Sequence, residues 1–115
     1  MALQIKTEPS RLREVNISEW NPDVKAFVRD LTVMERMVAG DLIDKFFDAG
    51  EKYSVEERAE AGLNACIMVL ADGDGNQLID PVQLEDLKKA AFEPVNRVIR
   101  LLLDAKARDD SLKKG

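Results

Sequence analysis

The apolar positions of this chain change period several times, and each change marks an element. In "RLREVNI" (11–17), Leu12, Val15 and Ile17 stand among charges at roughly strand spacing. In "VKAFVRDL" (24–31), Val24, Ala26 and Val28 share one face, with Phe27 and Leu31 on the other. Between them "SEWNPD" carries Asn21-Pro22-Asp23, a turn signal. The expected product is a β-hairpin, with Trp20 covering one end.

The period then lengthens. Thr32-Val33-Met34-Glu35 has the spacing of a capping box, in which the Thr hydroxyl and the Glu carboxylate satisfy each other's backbone N–H groups. Met34, Val38, Leu42 and Phe46 follow at steps of four, and Met37, Ile43 and Phe47 widen the apolar surface. Gly50 is the expected C′ residue, since glycine reaches the left-handed conformation freely. Ser54-Val55-Glu56-Glu57 repeats the box and starts a helix with Ala59, Leu63, Ile67 and Leu70. Residues 65–71 are almost wholly apolar, which predicts the central core helix.

Asp80-Pro81-Val82-Gln83 is a third helix start, followed by Leu84, Leu87 and Ala91. Phe92-Glu93-Pro94 breaks it, because the residue before proline avoids the α region. "PVNRVIRLLLDAKARDD" is the last helix; Val95, Val98, Ile99, Leu102 and Ala105 form its apolar face, and Leu101 and Leu103 spill beyond it. The fold class expected is mainly α: about four helices with an N-terminal β-hairpin. One domain over 11–108 is flanked by flexible tails at 1–10 and 109–115.

"LADGDGNQLID" (70–80) invites another reading. Asp72, Asp74 and Asn76 alternate as the first three ligands of an EF-hand calcium loop would. The match then fails at two key positions. Gln77 stands where the sharp turn favours glycine, and Gln83 where a bidentate carboxylate should close the site. Gln83 already has a role as the capping-box partner of Asp80. A degenerate calcium-binding regulator is therefore the alternative reading, and no metal is expected.

Composition removes further classes. The chain has 115 residues and a net charge of −5, and its Lys and Arg form no stripe suited to nucleic-acid phosphates. The densest basic group is Arg97, Arg100, Lys106 and Arg108, placed where cations favour a helix C-terminus. Without histidine the commonest general base is missing. Cys66, the single cysteine, lies within "LNACIMVL" and reads as a small core residue. No glycine-rich phosphate loop or nucleophile elbow occurs. Neither an enzyme nor a cofactor is expected. No secretory signal is apparent in "MALQIKTEPS", and no apolar run approaches the ~20 residues of a membrane span. What remains is apolar surplus: helices 33–48 and 94–108 carry more apolar side chains than one core face needs. The surplus predicts self-association or a surface for another chain.

Taken in order, the strand "VKAFVRDLT", the Glu three residues after that Thr, the apolar helix, the "LADGDGNQL" turn and the terminal "EPVNRVIRLLLDA" helix resemble a family. The chain is similar over about residues 12–105 to the tail assembly chaperones of long non-contractile-tailed (siphovirus-type) bacteriophages. The resemblance implies a small, largely helical, non-enzymatic protein of the host cytoplasm, absent from the mature virion. It implies binding to the long apolar tape-measure protein, which is kept soluble until tail-tube subunits assemble. It further implies a possible longer product of ribosomal slippage that would reach the tail-tube protein. The family offers no binding motif to transfer, so the candidate client site comes from the residues. It is the terminal helix: Val95, Val98, Ile99, Leu101, Leu102 and Leu103, flanked by Arg97 and Arg100. Helix 33–48, with Met34, Met37 and Phe47, is the next candidate.

Overall fold

The computed structural model describes the backbone of residues 2–5 and 11–114, and side chains as far as residue 104. Strands β1 (Leu12–Val15) and β2 (Ala26–Arg29) form the expected antiparallel hairpin, with Leu12 opposite Arg29 and Val15 opposite Ala26. Ala26 and Val28 face inward as their alternation requires, while Val24 precedes the strand and is exposed. Trp20 is half-buried beyond the hairpin end, and its indole N–H donates to the Ala91 carbonyl at 2.8 Å.

The hairpin is not alone. Leu70–Ala71 forms a third strand, β3, paired antiparallel with β2, giving the order β1-β2-β3. The apolar run 65–71 predicts a helix continuing through these residues. The helix in fact stops at Val69, and Leu70 is already extended (φ −75°, ψ 132°). A short, fully apolar run cannot separate a buried helix end from a buried strand by periodicity. Both residues are core in either case.

Helix α1 (Val33–Phe46) and helix α2 (Val55–Val69) both start at the capping boxes expected of them. The Thr32 and Ser54 hydroxyls accept from the N–H groups of Glu35 and Glu57, each at 3.1 Å. Gly50 is not the C′ residue of α1. Phe47 is the C-cap, and Gly50 (φ 86°) lies in the following turn, where the Asp48 carboxylate accepts from its N–H. Helix α2 buries Ala61, Gly62, Leu63, Ala65, Cys66, Ile67 and Val69, although Ala59 is exposed.

The third capping box also forms: Asp80 accepts from Val82 N–H at 2.9 Å, and Gln83 accepts from Asp80 N–H at 3.0 Å. It opens a 3₁₀ turn at Pro81–Gln83 that continues as α3 (Leu84–Leu87). Leu84 and Leu87 are half-buried, whereas Val82 points to solvent. Helix α4 (Glu93–Lys114) is the last element. Val98 and Ile99 of α4 join Val28, Cys66, Val69 and Leu70 in one core. Of the expected N-terminal tail, residues 2–5 are exposed, without regular secondary structure, and residues 1 and 6–10 lie outside the described residues. So do the Ala105, Lys106 and Arg108 side chains and the side chains of the expected tail at 109–115.

Candidate functional site

The terminal helix gives most of its apolar face to the core. Val95, Val98, Ile99 and Leu102 are all buried, and Leu101 is half-buried. They can meet another chain only if α4 leaves its seat. Leu103 and Arg100 remain exposed. Arg97 is occupied: its guanidinium holds both carboxylate oxygens of Glu19 at 2.6 Å and donates to the Asn16 carbonyl at 3.0 Å. That hydrogen-bonded pairing draws the Glu19 carboxyl down to about 2 and ties α4 to the hairpin connection.

The surplus predicted for α1 is at the surface. Its buried line is Ala39 and Ile43, with Phe46 packed against the core. In the apolar row at steps of four, Met34 and Val38 are exposed and Leu42 is half-buried. The reason is close packing by small residues. A Cβ on Gly62 of α2 would sit 2.4 Å from Phe46 Cδ1, so the ring lies directly on the glycine backbone. Ala39, Ile43 and the Phe46 ring thus face α2 at Gly62, and Val33, Met34 and Met37 are left outside. Val33, Met37 and Phe47 are 81%, 65% and 59% exposed. A shallow groove of about 80 Å³ runs between α1 and α4, with Gly40 and Asp44 on one wall and Leu102 and Leu103 on the other.

Two charged clusters tie the elements to one another, and neither is evident from the sequence alone. Arg29 of β2 holds Glu35 of α1 through two hydrogen bonds (2.8 and 2.5 Å) and donates to the Met68 carbonyl near the end of α2 at 2.8 Å. Glu35 also completes the α1 capping box, so the Arg29–Glu35 pair joins strand, helix start and helix end. Arg29 holds the Glu35 carboxyl down at about 2. Lys88 contacts Glu60 (2.6 Å), Glu85 (3.1 Å) and Glu56 (3.2 Å), which pins the end of α3 to α2. The Glu60 hydrogen bond leads in raising the Lys88 pKa.

The 72–80 segment is an ordered turn with its own hydrogen bonds. Asp72 Oδ1 accepts from the N–H groups of Asp74 (2.9 Å) and Asn76 (3.0 Å). The positive φ falls at Gly75 (85°), fourth in the loop rather than sixth. Cys66 is buried, and burial pushes its thiol up to about 12, so it is held as an apolar thiol. No helix among the described residues is long and apolar enough to cross a membrane.

No family model and no curated protein matches this sequence. The fold does have a counterpart. The chain shares the fold of the bacteriophage HK97 tail assembly chaperone. The superposition has a TM-score of 0.54 and covers 82% of this chain and 83% of that one, at 20% sequence identity. The coverage takes in most of the hairpin-and-helix architecture, so the likeness is of the whole domain and not of one helical pair. It agrees with the family resemblance carried by the order of the sequence elements.

Proposed function

We propose that this chain is a non-enzymatic phage tail assembly chaperone whose client is the apolar tape-measure protein. The observation that carries the reading is the fold shared with the HK97 chaperone across about four-fifths of both chains. The surface fits that work. Exposed Val33, Met34, Met37 and Val38 cluster on two turns of one helix, and patches of that kind on a folded domain mark protein contacts. Methionine is unbranched and polarisable, so it adapts to a client whose side chains vary along its length. The net charge of −5 keeps such a complex dispersed.

On this reading the protein acts in the host cytoplasm and leaves before the virion matures. A longer frameshifted product would bring tail-tube subunits beside the client, and the chaperone self-associates along it. The client surface combines the outer face of α1 with the exposed edge of α4 at Leu103 and Arg100, since Val95, Val98, Ile99 and Leu102 are core. The test is co-expression with the tape-measure protein. The unmodified chain should move the client into the supernatant. Met37→Glu and Leu103→Glu, each folded by circular dichroism, should leave it in the pellet. A client equally insoluble with and without the unmodified chain would end the proposal.

A further inference from the structure

Four residues of α1 and its C-cap recur at steps of four, three, four and three: Val33, Met37, Gly40, Asp44 and Phe47. That spacing lines them along one side of a helix, as the contact seam of paired helices requires. All five are exposed. The seam is apolar at both ends, and between them lie a glycine and an acid. A Cβ built on Gly40 meets nothing within 4 Å. Glycine is a poor helix former, and nothing among the described residues packs against it to account for it mid-helix. Asp44, and Asp41 beside it, make no ion pair among the described residues. Lys45 is turned instead onto the Tyr53 ring, 4.7 Å from its centroid.

We infer that α1, with the Leu103 edge of α4, seats a helix of the partner protein that is apolar at both ends of the contact and basic between them. The inference rests on the chaperone reading and names the segment that the client offers. Val33 and Phe47 are fourteen residues apart, about 21 Å along the axis, so the partner helix needs about four turns. Its apolar ends cover Val33 with Met37, and Phe47. Its backbone closes on Gly40, where no side chain intervenes, and its Lys or Arg reaches Asp44. A second copy of α1 is the poorer occupant: its seam brings another Asp44, and Arg36, which lines the same groove, is already engaged within its own chain.

The test uses the full chain and two fluorescein-labelled helical peptides of about 18 residues, or five turns. Both have leucine at the seam ends; one has arginine between them and the other glutamate. By anisotropy the arginine peptide should bind about fivefold more tightly, the scale of one exposed ion pair. Asp44→Arg should reverse that order. Gly40→Leu should raise the melting temperature, through better helix propensity, yet weaken arginine-peptide binding at least fivefold. Opposite signs in those two readouts separate a docking role from a structural one. Equal binding of the two peptides, no reversal by Asp44→Arg, or unchanged binding by Gly40→Leu would each overturn the inference. So would sedimentation showing the seam closed between two copies and opened by Gly40→Leu. The chaperone reading fails separately, when the unmodified chain does not solubilise its client.

Discussion

Gly62→Ala poses two opposed effects whose sizes can be worked out from the structure. Alanine in a helix interior is favoured over glycine by about 1 kcal/mol. Against that, the new Cβ would lie 2.4 Å from Phe46 Cδ1 and 2.7 Å from Cε1. The ring can yield only by leaving its neighbours: it stacks on Phe92 at 6.2 Å and meets Phe47 edge-on at 5.1 Å. Overpacking of this kind costs about 1–3 kcal/mol. The net expectation is a loss of about 0–2 kcal/mol from a substitution that helix propensity alone would call stabilising.

Removing the obstacle should invert the sign. In a Phe46→Ala background the Cβ has open space, and Gly62→Ala should stabilise by about 1 kcal/mol. The coupling energy of the double-mutant cycle is then the clash itself, about 1–3 kcal/mol. Urea unfolding followed by helical circular dichroism, with Trp20 fluorescence as a second probe, measures all four proteins. Coincident transitions would license the two-state arithmetic. A coupling energy below about 0.5 kcal/mol, the scatter of independent sites, would refute the close contact.

The caps and the 72–80 turn give further expectations. Thr32→Ala and Asp80→Ala should each cost about 0.5–2 kcal/mol, the ordinary loss of an N-cap, and each should exceed Asp74→Asn, measured by the same urea titration. Millimolar calcium should leave the melting temperature where chelator leaves it, because the Asp72 carboxylate serves its own turn and Gln83 completes the Asp80 capping box of the 3₁₀ turn; a rise of several degrees would restore the regulator reading. Glu35 has its folded pKa lowered from 4.5 to about 2, so its contribution is full above pH 4.5 and fades as pH falls towards 2. Glu35→Gln should therefore flatten the acid limb of a stability–pH curve between those values, and an unchanged limb would count against the Arg29 clamp.

Local chemistry was the legible part of this chain. Each capping box is set by residues three apart, so Thr32, Ser54 and Asp80 announce their helices without tertiary help. Strand alternation placed Ala26 and Val28 correctly for the same reason. What escaped was decided by partners distant in sequence. Arg29 reads as one more surface charge until Glu35 and the Met68 carbonyl are brought to it. Lys88 gathers carboxylates from up to 32 positions away. Gly62 is one small residue in "AGLNAC" until Phe46 is seen lying on it.

The same distinction explains why α4 buries most of its apolar face while α1 exposes much of its own. Counting apolar residues gave both helices a surplus, but a count does not say which side chains the core can hold. Burying an aliphatic side chain is worth roughly 1.5–3 kcal/mol, so the core takes the face that fills it most completely. On α4 that face is Val95, Val98, Ile99 and Leu102, which follow one another at helical steps and meet α2 directly. On α1 the requirement was reversed. α2 presents Gly62, and the matching surface is Ala39, Ile43 and the flat ring of Phe46. Val33, Met34 and Met37 had no place there, and their exposure follows from the fit between the two helices. A polar side chain at those positions would cost the isolated fold little. Under the proposed function their apolar character has a use, since α1 would then be the surface offered to the client.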